Sequence, residues 1–350
     1  MKVLQLKRLE ANDALYLMEN SDASMLGALA DLLRKAKCGD KVFFNRNFHI
    51  EPSNICAFHC RFCRFRRDAN DGYELSIDEI VSKVKEQAKA NFTEVHIVGA
   101  THPERNLEFY SHLLKEIKTA VPHIHIKAFS AAELDFMFNL SNVNIREGLI
   151  VLKEAGLGSI PGGGAEIFDE ELRKEICPDK VTSDRWLLIH QTAHELGIFS
   201  NATMLYGQLE TYKQRIDHLE RLRNLQDITG GFRAFIPLKF LNQNNELAYR
   251  EQVSVEEDMK NYAISRIFLD NFPHIKAYWP AIGRKNAQLS LLYGVTDLDG
   301  TIGDTTKIFS EVGSVEQNPD MSLEEMVALI KDAQRIPVER DSEYNEIKTY

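Results

Sequence analysis

The sequence predicts an α/β fold in which eight parallel strands close into a TIM-type (β/α)8 barrel. Along most of the 350 residues, short apolar stretches typical of strands alternate with longer segments of helical periodicity. About eight strand–helix units can be counted, and repeated units of this kind form a parallel sheet that closes at eight strands. No linker, repeat or low-complexity stretch interrupts them. We therefore expect one domain over residues 1–350, with its core at about 42–313.

The predicted elements follow one another in a regular order. The first strand covers 42–50, and Ser76 and Glu79 have the spacing of a capping box at the start of the next helix. Further strands are expected at 94–99, 124–129, 158–160, 199–206, 232–237, 275–279 and 297–301. Further helices are expected at 107–119, 131–139, 144–155, 186–196, 211–227, 255–271 and 284–292.

Both ends of the chain predict helical extensions outside the barrel. Residues 1–40 have helical periodicity, and so do residues 320–335. The last dozen residues are polar, so we expect them to be frayed.

Composition and charge exclude several classes of function. The chain is 44% hydrophobic and 27% charged, which is typical of a soluble globular protein. Its net charge of −10 argues against a nucleic-acid or membrane-surface partner, because both require a basic footprint. No run approaches the roughly 18 apolar residues of a spanning helix, and the N-terminus lacks a signal-peptide pattern. These features predict a cytoplasmic protein.

Three of the five cysteines lie on one loop directly after the first predicted strand. Cys56, Cys60 and Cys63 have the spacing C-x3-C-x2-C. Three thiolates this close can bind three irons of a cubane cluster and leave the fourth iron open. A zinc site would normally need a fourth protein ligand. His59 is nearby, but it lies within the spacing and would have to fold back onto its own loop.

The other two cysteines, Cys38 and Cys177, are expected to be spare thiols rather than ligands. The odd count and the crowding of three cysteines argue against a disulfide framework.

The barrel prediction locates the chemistry at the C-terminal ends of the strands and in the loops that follow them. The cysteine loop obeys this rule. Polar or glycine-rich segments also follow other predicted strands, at 99–104, 130–133, 162–166, 206–207 and 237–240.

The cysteine spacing, with Phe62 before the third cysteine, resembles that of the radical S-adenosylmethionine (radical SAM) superfamily. The resemblance implies that Cys56, Cys60 and Cys63 hold a [4Fe-4S] cluster and that SAM binds its open iron. Gly99 and Ala100 match a superfamily motif, usually Gly-Gly-Glu, whose carbonyls receive the SAM amino group; Ala100 replaces the second glycine. A second motif, G-x-I-x-G-x-x-E, is present in degraded form at 203–210.

The resemblance also implies residues that contact SAM. Phe62 corresponds to the residue beside the adenine; the alternative is core packing. Glu133 and Glu166 follow the third and fourth predicted strands, and Glu166 matches a carboxylate that meets the SAM ribose or amino group. Arg185 matches an arginine that meets the SAM carboxylate; the alternative is a helix-surface charge beside Asp184.

Longer phrases resemble a single branch of the superfamily, which contains biotin synthase, a hydrogenase-maturation enzyme, the deazaflavin-cofactor synthases and two menaquinone-pathway enzymes. Within that branch they are most similar to the aminofutalosine synthases. The phrases lie at 94–99, 102–103, 125–129, 161–167, 177–180, 201–207, 270–279 and 297–301. Dehypoxanthine futalosine cyclase and the deazaflavin-cofactor synthases share much of the pattern and remain alternatives.

This resemblance implies a specific reaction in menaquinone biosynthesis. A reduced cluster cleaves SAM, and the resulting 5′-deoxyadenosyl radical adds to the enol ether of 3-[(1-carboxyvinyl)oxy]benzoate. The products are 6-amino-6-deoxyfutalosine, bicarbonate and methionine, so SAM is a cosubstrate. An electron donor such as flavodoxin or ferredoxin would reduce the cluster. A non-catalytic iron–sulfur protein and a structural zinc protein are the other classes, and neither has an evident use for an eight-stranded barrel.

A substrate with two carboxylates requires local cations or amide donors. The candidates near predicted strand ends are His102, Lys127, Arg233, Lys239 and Arg284. Lys239 and Arg284 could equally be solvated surface charges.

Three of the polar side chains are predicted to be catalytic. Arg233 lies within an apolar strand, where a cation needs a partner, and this favours a functional role. His102 follows the second strand. Asp297 closes the last strand together with Asp299, where both either orient the substrate or cap the following turn.

Overall fold

Eleven strands and thirteen helices make up the described residues, 7–90, 92–300 and 320–350, of this computed structural model. The strands are β1 (Lys41–Phe44), β2 (Asn47–Ile50), β3 (Glu94–Ile97), β4 (His125–Ala128), β5 (Ser159–Ile160), β6 (Phe199–Tyr206), β7 (Phe232–Lys239), β8 (His274–Ala277), β9 (Asp297–Leu298), β10 (Ile336–Arg340) and β11 (Glu346–Thr349). The part of the predicted core at 301–313, and the first six residues of the predicted N-terminal extension, lie outside the described residues.

The helices alternate with the strands as the sequence predicts. They are α1 (Ala11–Asn20), α2 (Ala23–Cys38), α3 (Ile77–Ala88), α4 (Leu107–Ala120), α5 (Ala131–Leu140), α6 (Ile145–Glu154), α7 (Glu170–Ile176), α8 (Ser183–Glu195), α9 (Tyr212–Thr229), α10 (Val255–Phe268), α11 (Trp279–Ile282), α12 (Arg284–Ser290) and α13 (Leu323–Asp332). The capping box of α3 is confirmed, because the Ser76 hydroxyl accepts from the Glu79 N–H and the Glu79 carboxylate accepts from the Ser76 N–H. None of the helices described here is long and apolar enough to cross a membrane.

All the strands belong to one curled sheet, in the order β11-β10-β1-β9-β8-β7-β6-β5-β4-β3-β2. Neighbouring strands are parallel throughout, except for the antiparallel pair β10 and β11. Only residues 45–46 separate β1 from β2, and β1 pairs with β9 while β2 pairs with β3. The first strand therefore joins both ends of the βα series, as the predicted α/β barrel requires.

The N-terminal extension is helical, as predicted, but it consists of two helices. Asp22 separates them and caps α2, its carboxylate accepting from the Met25 N–H. Helix α2 packs against α10 on the outside of the sheet, and α1 packs against α9.

The C-terminal extension contains the predicted helix, α13, but the expectation of a frayed tail was wrong. Strand β10 adds to β1 over Lys41–Phe44, and β11 adds to β10. The tail has a polar composition because the side chains of β11 are exposed on this edge strand. Its order comes from backbone pairing and from the buried side chain of Arg340, neither of which depends on apolar residues.

Candidate active site

The loop after β2 carries the three cysteines at the C-terminal end of the strands, and backbone hydrogen bonds fix its path. The Ala57 N–H donates to the Thr101 carbonyl at 2.9 Å, which ties the loop to the segment after β3. The Arg61 N–H donates to the Ile176 carbonyl at 2.9 Å, which ties it to the end of α7. The cysteines therefore have a defined position on the barrel rim.

A small cavity of about 100 Å³ brings the cysteines together with other predicted residues. Its lining includes Cys56, Cys60, Cys63, Phe62, Gly99, Ala100, Thr101, Ser130, Glu133 and Lys180. The three thiols are free, and Cys56 and Cys60 are half-buried. We call this space the cysteine pocket.

The donor set of the cysteine pocket fits a cubane cluster better than a single metal ion. In the part of the chain that the structure describes, no three His, Cys, Asp or Glu side chains converge closely enough to hold one ion. A cubane does not need such convergence, because each thiolate binds a different iron. Burial raises the pKa of the Cys60 thiol to about 12, so cluster binding must displace its proton.

His59 does not serve as a fourth ligand in this geometry. Its side chain is 64% exposed, and its ring lies 3.3 Å from the Asp179 carboxylate and 2.8 Å from the Arg66 guanidinium. The ring is therefore held outside the cysteine pocket, and the alternative of a zinc site closed by His59 loses its fourth ligand.

A larger cavity of about 310 Å³ occupies the barrel lumen and shares Phe62 with the cysteine pocket. Its walls are apolar and include Val98, Pro161, Leu205, Ile236, Leu238, Phe240 and Leu241. Its deep end is polar and lined by Asn47, His49, Glu94, His96, Lys127, Lys276 and Asp299. We call this deep end the lumen floor.

Both lysines of the lumen floor form ion pairs with carboxylates. The Lys127 ammonium donates to both oxygens of Glu94 at 2.8 Å, and the Lys276 ammonium lies 3.0 Å from Asp299 and 3.4 Å from Asp297. Both lysines are buried, so these charges must be paired to be tolerated.

Comparison with models of protein families identifies the family to which this barrel belongs. Residues 50–222 match the radical SAM superfamily, and residues 229–349 match the CofH/MqnC C-terminal region. The chain is 42% identical to the aminodeoxyfutalosine synthase of Thermus thermophilus, over 100% of this chain and 95% of that protein. The chain belongs to the radical SAM superfamily. As a radical SAM enzyme, it uses a [4Fe-4S] cluster and SAM.

Two further relatives differ from each other in the activity that they are named for. An aminodeoxyfutalosine synthase of Streptomyces coelicolor is 38% identical over 100% of this chain and 93% of its own length. A 5-amino-6-(D-ribitylamino)uracil--L-tyrosine 4-hydroxyphenyl transferase of Methanothermobacter thermautotrophicus is 36% identical over 96% of this chain and 94% of its own. Among solved structures, methylornithine synthase has a TM-score of 0.73 at 17% identity, covering 95% of this chain and 94% of that one. That likeness shows the fold.

Glu133 of the radical SAM enzyme has a structural role in the cysteine pocket. Its carboxylate accepts from the Ser130 N–H at 2.7 Å, from the Ser130 hydroxyl at 2.6 Å and from the Gly99 N–H at 3.3 Å. Burial raises the pKa of Glu133 to about 7, against these hydrogen bonds. The side chain thereby links the start of α5 to the glycine after β3, both of which line the pocket.

Glu166 reaches the cysteine pocket through Lys180, which the sequence analysis did not single out. The Lys180 ammonium lies 2.5 Å from a Glu166 oxygen and 5.2 Å from the centre of the Phe62 ring. Lys180 lines the pocket, whereas Glu166 is not among its lining residues. The phrase 177–180 contained this lysine, but nothing in its spacing indicated the direction of the side chain.

Arg185 is not brought into the cysteine pocket. It lies in the first turn of α8, its side chain is 40% exposed, and its guanidinium pairs with Asp135 of α5 at 2.7 Å. This is the helix-surface position that the sequence left open.

We expect Lys180→Gln to weaken SAM binding about 10- to 150-fold, the usual effect of losing a charge-assisted hydrogen bond. Lys180 is one of two cations that line the cysteine pocket, with Arg66, and it lies 5.2 Å from the centre of the Phe62 ring, so we expect it to meet the SAM carboxylate. Equilibrium binding of SAM to the reconstituted enzyme measures this. Arg185→Ala is the matched control and should leave the affinity within about twofold, because a surface ion pair contributes little. If Arg185→Ala weakened SAM binding and Lys180→Gln did not, Arg185 would be the partner of the SAM carboxylate.

The three predicted catalytic residues lie outside both cavities. Arg233 is the second residue of β7, at the N-terminal end of the barrel, and its guanidinium lies 5.1 Å from the Phe199 ring centre. His102 lies 3.4 Å from Glu74, and Asp297 pairs with Arg340 at 2.6 Å. Neighbouring Asp299, by contrast, lines the lumen.

Two of the other candidate cations line the lumen and one does not. Lys127 and Lys239 are both lining residues. Lys239 pairs with Asp258 at 2.7 Å. Arg284 lies on the outside of the barrel, 3.0 Å from Glu325 of α13.

Most of the lumen floor was missed at the sequence level. His49, His96 and Lys276 all lie within strands, whereas the prediction searched the loops after them. A period-2 signal was present, because Asn47 and His49, or Lys276 and Tyr278, are two residues apart and face the lumen together.

Proposed function

We propose that this radical SAM enzyme is an aminodeoxyfutalosine synthase, which joins the 5′-deoxyadenosyl group of SAM to 3-[(1-carboxyvinyl)oxy]benzoate. The observation that carries the proposal is similarity over the whole chain, at 42% and 38% identity, to two enzymes of that name. We place the reaction in menaquinone biosynthesis and in the cytoplasm, with flavodoxin or ferredoxin as the electron donor.

The lumen supports this proposal by its shape and chemistry. Its apolar walls suit an aromatic ring, and its polar floor suits a carboxylate at the far end of that ring. When bound, the cluster and SAM supply a carbon radical. The chain's own contribution is to hold the acceptor alkene beside Phe62, at the boundary of the two cavities, and to exclude water from it.

A second candidate has a specific observation in its favour. Relatives named as 4-hydroxyphenyl transferases, which act with tyrosine on a ribitylamino-uracil, reach 39% identity over 89% of this chain. Dehypoxanthine futalosine cyclase, the sister enzyme, is the third. Substrate assays must decide among the three, because the cysteine pocket would be common to all of them.

Labelled SAM gives the decisive test. We expect SAM labelled in its adenosyl group to transfer the label into 6-amino-6-deoxyfutalosine, with free 5′-deoxyadenosine only as a minor product, because a radical-adding enzyme keeps the group in its product. Anaerobic reaction with dithionite and the enol-ether benzoate, followed by chromatography and mass spectrometry, measures the label.

Parallel reactions contain the rival substrates, dehypoxanthine futalosine and the pair tyrosine with 5-amino-6-(D-ribitylamino)uracil. Turnover of either one, without an adduct from the enol ether, would reassign the substrate. The radical SAM assignment would stand in that case.

A further inference from the structure

We propose that His96 is the carboxylate-recognition residue of the lumen floor and that the substrate's ring carboxylate binds it together with one proton from solution. This inference deepens the proposed function and rests on it, because it takes the ligand to be an aromatic dicarboxylate. It assigns a specificity role to a histidine that the sequence analysis placed only within the phrase 94–99.

The position of His96 fits this role. It lies on β3 in register with His49 on β2 and Lys127 on β4, and all three side chains line the lumen. The two imidazole rings are 4.5 Å apart at their centres and meet edge to face. The Nε2 atom of His96 is buried and has no hydrogen-bond partner among residues 7–90, 92–300 and 320–350. A buried ring nitrogen without a partner needs an explanation, and a ligand bound in the lumen would supply one.

The charges around the floor explain why a proton must accompany the ligand. Each lysine that lines the lumen in the described chain already has a carboxylate partner: Lys127 has Glu94, Lys276 has Asp299, and Lys239 has Asp258. An entering carboxylate therefore adds a negative charge that none of these lysines is free to balance. A buried charge without compensation is costly, so a group in contact with it must change its ionisation.

His96 is the group placed to make that change. Burial, with the neighbouring His49, Lys127 and Lys276, holds the pKa of His96 well below its usual value, against the opposing effect of Glu94. The charge of Asp299 also acts on His49 and opposes the lowering of the His49 pKa by burial. The free enzyme therefore holds a neutral imidazole, and a carboxylate at hydrogen-bond distance would favour the imidazolium.

The direction of the strands decides which carboxylate reaches the floor. The floor residues other than Asp299 lie within β2, β3, β4 and β8, whereas the cysteine pocket lies at the C-terminal ends of the strands. The alkene must meet the radical near Phe62, at the junction of the two cavities. The enol-ether carboxylate then stays near the cysteine pocket, and the ring carboxylate points down the lumen towards His96.

Calorimetry with 3-[(1-carboxyvinyl)oxy]benzoate tests the proposal. The probe is titrated into the reconstituted enzyme with SAM and an oxidised cluster, at pH 7.5, in two buffers of different ionisation enthalpy. We expect uptake of about one proton per site, because a carboxylate contact raises the imidazole pKa. The His96→Gln variant should bind about 10- to 150-fold more weakly, with no uptake.

A second ligand and a second variant make the test specific. 2-Phenoxyacrylate has the same enol ether without the ring carboxylate, so it should bind without proton uptake and equally to both proteins. His112→Gln, on the exposed face of α4, should behave as the unmodified enzyme does. Iron content and uncoupled SAM cleavage report whether His96→Gln is intact.

Two results would overturn the inference while sparing the proposed function. One is conversion of the dicarboxylate with no proton uptake on binding. The other is that the His96→Gln substitution weakens the binding of both ligands equally. If the dicarboxylate neither binds nor is converted, the proposed function fails and the inference fails with it. The turnover assay separates these cases.

Discussion

Replacing Cys56, Cys60 or Cys63 by alanine should remove the absorbance of the cluster and reduce SAM cleavage to background in each variant. The three thiols line one pocket, and each would bind a different iron. His59 is not in place as a spare ligand, because its ring is held outside by Asp179 and Arg66. Anaerobic reconstitution, iron and sulfide analysis, and chromatography of 5′-deoxyadenosine and methionine measure the two losses together.

The remaining cysteines supply matched controls. Cys38 lies at the end of α2, where its thiol is 3.5 Å from the Arg34 and Lys41 carbonyls, so Cys38→Ser should keep its full iron content. Cys177 is the more informative control. It is buried, and it lies close enough to Cys60 to raise the pKa of that thiol. Iron loss in Cys177→Ser would enlarge the ligand set, and near-normal activity in any alanine variant would remove the cluster from this loop.

The barrel was predictable because its signals are local and repeated. Each strand–helix unit carries its own pattern, and Ser76 with Glu79 gave the start of α3 correctly. The division of the first strand into β1 and β2 was not predictable. Asn45 and Arg46 interrupt the apolar run, but the sequence does not show that the two halves pair with different neighbours.

The C-terminal strands were missed for a related reason. Strand β11 is an edge strand with exposed side chains, so its sequence carries no alternation of buried and exposed apolar residues. Its backbone pairing with β10 depends on the rest of the sheet being in place. A polar tail and a polar edge strand look alike in a single sequence.

In the candidate site, too, the residues on loops were predictable, whereas most of the residues within strands were not. The cysteines, Gly99 and Ala100 lie on loops, where a short motif fixes position relative to the barrel rim. The lumen floor is assembled from four strands and from Asp299 after β9, and a sequence does not show how far down the barrel each residue lies. Arg233 illustrates the difference: its place in an apolar strand was anticipated, yet it lies at the wrong end of β7 and contacts Phe199.

Asp297 shows how a buried charge can be mistaken for a catalytic one. It was predicted to be catalytic because it ends a strand, and in the structure it lies between Lys276 and Arg340 without lining the lumen. Burial opposes its ionisation, but Arg340 and Lys276 outweigh burial and hold the pKa of Asp297 below its usual value. Its evident role is to fix the C-terminal strand β10 against the barrel, which is where the largest stability effect is expected.

We expect Arg340→Met to lower the free energy of unfolding by about 3–5 kcal/mol, the usual cost of removing one partner from a buried ion pair. Arg340 is fully buried, its Nε donates to Asp297 at 2.6 Å, and its guanidinium lies 3.8 Å from the Tyr344 ring centre. Methionine retains much of the side-chain volume, so the loss comes from the Asp297 carboxylate, which keeps only Lys276, at 3.4 Å, as a cationic partner. Urea unfolding at neutral pH measures it.

Two companion variants separate the ion pair from other effects of the substitution. Asp297→Asn combined with Arg340→Met should recover most of the loss, because the buried charge is then removed along with its partner. Lys348→Met, on the exposed strand β11, should change stability by less than about 0.5 kcal/mol. A loss below about 1 kcal/mol in Arg340→Met would mean that β10 is held by its backbone pairing with β1 and not by this pair. The cluster content of Arg340→Met should stay unchanged, because the cysteine pocket lies at the other end of the strands from β10.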